Sequence, residues 1–393
     1  AVALAVNDHP SVAWAQPDRI FWAKRAGGAP NDPMFGQQWA LEQANDEDMD
    51  ALTAWSVTYG DESVRVVVLD SGVQQNHPDI SQVPGQTFVS GGGNGNPGNA
   101  CDNHGTAVAG CVAATANNGV GIAGIAPGVR VQAAKIFNEF SLFGFCLPFL
   151  ESQDSWTAAG INWAASSGAQ VTNSSWGGGA ASAVITTAFD NARALGVIHF
   201  AATGNDGAGS ISFPASLPSV NAVAAVDSSG ARASFSNYGV GTFISAPGAA
   251  VLTTDRTGAD GYGAGDYATV DGTSFASPYA AGVAALVLSV NPSLTPAEVE
   301  AVLAETAVDR AEPGYDTGYG WGFINAGAAV LAVAGSGCQA DFTGDGSLNF
   351  FDLAAYLDLY NAGDPGADLV APTGVLNFFD LAAYLDMYNA GCP

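Results

Sequence analysis

The chain alternates short runs of branched apolar residues with longer segments of helical spacing. Residues 64–69 (VRVVVL), 129–134 (VRVQAA), 197–201 (VIHFA) and 221–226 (NAVAAV) read as strands, because β-branched residues in such runs suit a pleated, packed surface. Between them residues 157–166 and 183–195 have helical spacing, and the Ala-rich apolar run 279–290 predicts a buried helix. Near-continuously apolar strands joined by helices imply an α/β fold, a parallel sheet with helices on both faces. In such a sheet the functional site lies beyond the carboxyl ends of the strands.

The pattern changes after Gly335. Residues 348–363 (LNFFDLAAYLDLYNAG) return 28 positions later as residues 376–391, with Met387 in place of Leu359. This duplication predicts two amphipathic helices in a small all-α module. Just ahead of the first copy, Asp341, Thr343, Asp345, Asn349 and Asp352 fall at positions 1, 3, 5, 9 and 12 of a loop with Gly346 at position 6 and Ser347 at position 7. That is the oxygen spacing of an EF-hand-type calcium loop. The second copy has Leu369, Ala371 and Thr373 at positions 1, 3 and 5, so most of its ligands are missing. Cys338 and Cys392 bracket the module, which suggests a disulfide clasp closed in an oxidising compartment.

Composition narrows the functions available. Ten basic against 37 acidic residues give a formal charge of -27, which disfavours nucleic-acid or anionic-membrane binding and favours solubility in salt or calcium binding. With 393 residues and 48% hydrophobic content the chain supports a sizeable core. No apolar run looks long enough to span a bilayer, and no secretory leader pattern opens the sequence. The motif GNGNPG at residues 93–98 satisfies G-x-G-x-x-G, but Pro97 does not open a helix, so a surface loop is expected instead of a dinucleotide site.

Four separated motifs carry candidate chemistry. Asp70 ends the apolar strand Val66-Val67-Val68-Leu69, and His104 opens a small-residue helix in His104-Gly105-Thr106-Ala107-Val108-Ala109-Gly110. Asn205 closes the turn Thr203-Gly204-Asn205 after a buried strand, and Ser274 stands in Gly272-Thr273-Ser274-Phe275-Ala276-Ser277-Pro278, with Pro278 expected in the first helical turn. Each alone suits a turn or cap residue. Together they form a nucleophile, a base, a carboxylate to orient the base, and an amide to receive negative charge.

In this order the motifs closely resemble the subtilisin-like serine proteases, the subtilases, over residues 31–335. The resemblance implies a subtilisin-like fold and a serine endopeptidase. Ser274 would form the acyl-enzyme, His104 would act as base and then acid, and Asp70 would orient His104. Asn205 and the Ser274 amide would hold the oxyanion. Ser175, Trp176 and Gly177 match the segment that pairs with an extended peptide, and Ala201, Ala202 and Thr203 match a wall of the P1 pocket. Ala107 and Phe275 depart from the His and Met common at their positions. Because a methionine beside the nucleophile oxidises to a sulfoxide, Phe275 predicts peroxide tolerance.

By the same resemblance, Asp79, Ala116, Asn118, Val120 and Ile122 match a calcium site, Asp32 matches the N-terminal ligand of thermitase-like members, and Asp227 matches a weaker second site. Aqualysin-like members imply a Cys101–Cys146 bridge, with Cys111 buried and free. Residues 1–30 resemble the end of an inhibitory prodomain and its linker, implying cleavage between Lys24 and Asn31. Residues 336–393 resemble dockerins, whose twin calcium loops bind cohesins, so a cohesin-like or surface partner is the expectation there. The whole reads as a secreted or cell-surface monomer acting on peptide or protein substrates, with one Ca2+ in the catalytic domain and one in the first tail repeat. The rival reading is a peptide-binding pseudoprotease or anchoring scaffold.

Overall fold

The computed structural model describes residues 28–142, 145–334, 340–343, 348–370 and 376–390. Its main body is a seven-stranded sheet in the order β2-β3-β1-β6-β7-β8-β9. These strands are β1 Arg65–Asp70, β2 Gln82–Thr87, β3 Arg130–Lys135, β6 Val171–Ser174, β7 Ile198–Ala202, β8 Asn221–Val226 and β9 Thr242–Pro247, and every neighbouring pair is parallel. Two antiparallel hairpins stand beside the sheet, β4 Asn138–Leu142 with β5 Phe145–Glu151, and β10 Val251–Thr254 with β11 Tyr267–Val270.

Alternation along β1 shows how the layers form. Val66 and Val68 join the core that contains helices α2 His104–Ala113 and α5 Thr273–Val290. Val67 and Leu69 point the opposite way, into the core with α3 Asp154–Ser166 and α4 Ala183–Ala194. A strand with apolar side chains on both faces must be covered on both, and this one is. The short helix α1 Ala51–Trp55 packs on α7 Ala326–Ala334, and α6 Pro296–Glu305 opens with a full capping box from Thr295 and Glu298.

Several elements were not foreseen in the pattern. β2 carries Pro84 and Gly85 and is half-exposed at the sheet edge, so it lacks an apolar run. β6 is buried but polar, with Thr172, Asn173 and Ser174. Helix α5 starts at Thr273, six positions before the apolar run, because small residues also sustain the helix there. Pro278 therefore lies inside the helix and not in its first turn. Lacking an N–H, it frees the Ser274 carbonyl one turn earlier. At 18 residues, α5 is also long and apolar enough to cross a membrane, contrary to the sequence expectation, but it lies buried in the core.

The tail repeats form α8 Phe350–Ala362 and α9 Phe378–Ala390. Their equivalent tyrosines, Tyr356 and Tyr384, stack with ring centroids 4.0 Å apart and an interplanar angle of 3°, and Phe342 meets both edge-on. Among the described residues this core is drawn from residues 340–388 alone, separate from the cores of the main body. The prodomain-like residues 1–27 and the cysteines Cys338 and Cys392 lie outside the described residues.

Candidate active site

Strand β1 delivers Asp70, fully buried, to the carboxyl edge of the sheet. His104 is the first residue of α2, and its Nδ1 lies 3.0 Å from both Asp70 Oδ1 and Oδ2. A donor at Nδ1 facing a carboxylate leaves Nε2 as the acceptor, which is the tautomer a general base needs. The helix can approach this closely only because residue 105 is glycine, since a Cβ there would lie 2.4 Å from the Gly72 carbonyl oxygen. The Gly105 amide donates to Ser71 Oγ at 3.1 Å, and the Ser71 amide donates to Asp70 Oδ1 at 2.7 Å. Burial alone would lower the imidazole pKa. The charge and hydrogen bond of Asp70, with a further contribution from the Glu139 charge, outweigh burial and hold it above its ordinary value.

Ser274 occupies the second position of α5, after a Gly272 N-cap with φ of 149°. Its Oγ donates to the Ser175 carbonyl at 3.0 Å, while Ser175 Oγ donates to the freed Ser274 carbonyl at 2.6 Å. This reciprocal pair ties the helix start to the segment after β6. Asn173 extends the tie, donating to Ser175 Oγ at 2.8 Å and accepting from Ser277 Oγ at 2.6 Å.

Asn205, in the loop after β7, accepts through Oδ1 from the Thr273 amide at 2.9 Å and from Thr273 Oγ1 at 2.8 Å. Its amide nitrogen is thereby turned the other way. A Cβ built on Gly272 would lie 3.5 Å from Asn205 Nδ2 and 3.6 Å from the Ser274 nitrogen. Both nitrogens thus lie close to the Gly272 Cα, whose φ of 149° is one that L side chains rarely adopt.

The substrate-matching residues converge as well. A Cβ on Gly177 would meet the Phe213 carbonyl oxygen at 3.0 Å and the Ala202 carbonyl oxygen at 3.9 Å, and the Gly178 amide donates to Phe213 O at 2.9 Å. Ala202 and Thr203 are buried at the edge of this space, while Ala201 points into the core beneath. Trp176 meets Phe137 edge-on at 6.2 Å and lines an adjoining cleft of about 320 Å3 with Leu150, Ile185 and Phe213. Cys101 and Cys146 are disulfide-bonded and Cys111 is free and buried, as the resemblance implied.

The Subtilase family model matches residues 61–322. The chain belongs to the subtilase family, the subtilisin-like serine endopeptidases. It is 37% identical over 358 residues to an extracellular protease of Xanthomonas campestris pv. campestris, covering 82% of this chain and 60% of that protein. It is 38% identical to subtilisin DY of Bacillus licheniformis, covering 69% of this chain and 92% of that one. Among solved structures, a protease from Pseudoalteromonas arctica aligns with a TM-score of 0.67 and 32% identity, over 78% of this chain and 100% of the other. The chain spans 60% to 64% of the length of the Xanthomonas protease and of alkaline elastase YaB of Bacillus sp..

In this subtilase the calcium-matching residues gather around Asp79. Left-handed residues at Asn117, Gly119 and Gly121 curl the 116–122 loop round that fully buried carboxylate. Asp79 accepts from Asn118 Nδ2 at 2.7 Å, the Ile122 amide at 3.1 Å and Tyr267 Oη at 3.0 Å. Burial pushes its carboxyl up to about 6, against the pull of those donors. Among the described residues no three His, Cys, Asp or Glu side chains cluster, so a cation here would need amide and carbonyl oxygens as well. Asn118 Oδ1 accepts the Val120 amide at 2.7 Å, and it and the carbonyls of Ala116, Val120 and Ile122 are oxygens of the same loop. That donor set suits a hard cation. Asp32 accepts the Asn117 and Asn118 amides at 2.8 Å and 3.1 Å, which holds the loop in place, and its charge adds to the rise at Asp79. Asp227 closes an exposed turn on Ser229 and Ala231, apart from this cluster.

In the tail, Asp341, Thr343 and Asp352 come together. Thr343 Oγ1 donates to Asp341 Oδ1 at 3.1 Å and to Asp352 Oδ1 at 2.6 Å. Asn349 caps α8 through the Phe351 amide, while Asp345 and Ser347 lie outside the described residues. In the second repeat, Asp380 accepts the Leu369 and Val370 amides at 2.9 Å and 3.0 Å.

Sequence reasoning missed Lys135. It ends β3 in register with Asp70 and is buried, with its amine on Ser71 O at 2.6 Å, Asp102 Oδ2 at 2.7 Å and Phe137 O at 2.8 Å. A lone lysine closing an apolar strand, in a chain with ten basic residues, was the available signal.

Proposed function

We propose that this chain is a secreted serine endopeptidase that cleaves extended peptides through an acyl-enzyme on Ser274. The observation that carries the reading is the buried Asp70 carboxylate on His104 Nδ1, with the His104 ring packed at 5.7 Å against Phe275, the residue after Ser274, at a helix start whose Thr273 amide is held by Asn205. Ser274 Oγ turns from the Ser175 carbonyl toward His104 Nε2, loses its proton there and attacks the scissile carbonyl. The new oxyanion falls between Asn205 Nδ2 and the Ser274 amide, and Asp70 stabilises the imidazolium. His104 then protonates the departing amine, and water repeats the sequence in reverse to free Ser274.

Ser175, Trp176 and Gly177 bind the peptide backbone as an added strand. Gly177, Ala202, Thr203 and Phe213 bound the P1 pocket, and the Trp176 cleft takes an apolar side chain further along the substrate. Asp79, Asp32, Asn118 and the carbonyls of Ala116, Val120 and Ile122 hold a stabilising Ca2+. Asp341, Thr343, Asp345, Asn349 and Asp352 hold a second in the tail module, which serves as a dockerin-like anchor. The second repeat, with Leu369, Ala371 and Thr373 at positions 1, 3 and 5, lacks most of the oxygens a cation needs. Maturation cuts between Lys24 and Asn31.

Labelling with a serine-directed fluorophosphonate tests the central claim. The intact chain is expected to label and Ser274→Ala to lose the label. An intact, folded chain that takes no label would support the peptide-binding rival.

A further inference from the structure

The start of α2 is held in an unusual way. Its N-cap residue Asn103 makes no side-chain capping bond, although helix starts normally need one for their unpaired amides. The His104 amide donates instead to Glu139 Oε1 at 3.2 Å, from a residue 35 positions away on hairpin strand β4. Glu139 is itself fixed. Its amide donates to Asp102 Oδ1 at 2.7 Å, and its carbonyl accepts from Asn99 Nδ2 at 3.2 Å. Asp102 is anchored in turn by Lys135, and the Cys101–Cys146 bridge ties the His104 loop to the same hairpin.

We propose that Glu139 is a positioning residue for the general base: its carboxylate caps the helix that carries His104 and sets a second negative charge beside the imidazole. This deepens the proposed function and rests on it for its catalytic meaning. The charged and titratable groups around His104 are Asp70 from β1, Glu139 from β4, Lys135 from β3 paired with Asp102, and the Tyr262 hydroxyl of the 255–266 loop, which feels both Asp70 and Glu139. Phe275 packs its ring against the imidazole at 5.7 Å and adds no charge. Glu139 and His104 favour each other's charged forms. The Glu139 charge raises the imidazole, and the imidazolium lowers the carboxyl that burial otherwise raises.

The test separates charge from cap. Glu139→Gln keeps an oxygen for the His104 amide and removes the charge, whereas Glu139→Ala removes both. In a Ser274→Ala background, NMR titration of the His104 imidazole, assigned by its loss in His104→Gln, is expected to shift downward by about half a pH unit in Glu139→Gln, as a nearby half-buried charge predicts. About 1 M salt should shrink the shift. In the active enzyme the acid limb of kcat/KM should move by the same amount. An unmoved imidazole titration in Glu139→Gln overturns the proposal. So does a fall in kcat in Glu139→Ala with the acid limb unmoved in both variants, because a purely structural prop would behave that way. The titration needs no peptidase activity, so it fails or succeeds independently of fluorophosphonate labelling.

Discussion

Removing the Lys135 amine should reveal how much of the site depends on one buried ion pair. Lys135 and Asp102 are 2% and 0% exposed, and all three amine protons are in use, on Ser71 O, Asp102 Oδ2 and Phe137 O. The amine thereby joins the backbone just after Asp70 to the loop just before His104. Lys135→Met keeps most of the stem volume and leaves Asp102 charged and buried. Breaking such a pair from one side costs about 3 to 5 kcal/mol. Asp102 would retain the amides of Gly98 at 2.7 Å, Asn99 at 3.1 Å and Glu139 at 2.7 Å, which places the cost near the lower end, about 3 kcal/mol. For a body of about 300 residues that corresponds to a Tm lower by roughly 5 °C. Calorimetric melting of Lys135→Met in a Ser274→Ala background, where autolysis cannot intervene, reads the effect directly. Asp102→Asn should be destabilising too, and the double variant should cost less than the sum because the two share one interaction. A Tm lowered by less than about 2 °C, or strict additivity, would refute the reasoning.

Two further outcomes follow from the site. Burial raises Asp79 from 3.8 to about 6, so without calcium the folded chain keeps a proton that the unfolded chain has released between those values. Calcium-free stability should therefore fall as pH rises through that window, by at most about 3 kcal/mol, and level off above it. Calcium competes with that proton, so adding Ca2+ to protein stripped of calcium beforehand should raise the Tm clearly at about pH 8 and much less at about pH 5, and Asp79→Asn should abolish the difference; a pH-independent gain from added Ca2+ would count against Asp79 as a ligand. Phe275→Met should lose activity several-fold faster than the parent in dilute peroxide, since it restores an oxidisable sulfur where the ring now meets His104. Equal decay of the two would show that oxidation acts elsewhere.

The parallel sheet and several of its apolar strands were legible in the chain itself, and Asp70, His104, Asn205 and Ser274 stood out through four spaced motifs that together resemble the subtilases. β1 has an apolar run of four and β8 is nearly all apolar, so short-range pattern sufficed for the strands, whereas the chemical residues, each alone a turn or cap residue, stood out only through the joint order of their motifs. The tail duplication was equally plain, because identical segments need no tertiary context to be seen. Polar elements were harder to read. β6 is buried through hydrogen bonds and neighbours instead of side-chain hydrophobicity, and β2 is an edge strand interrupted by Pro84 and Gly85. The supports of the site came only from the fold. Glu139 caps the His104 helix across 35 positions, Ser175 reaches Ser274 across 99, and Lys135 crosses 64 to Ser71. Such partners share no local spacing, so chain folding alone decides which buried amide, carbonyl or charge finds them, and that pairing is what burial makes obligatory.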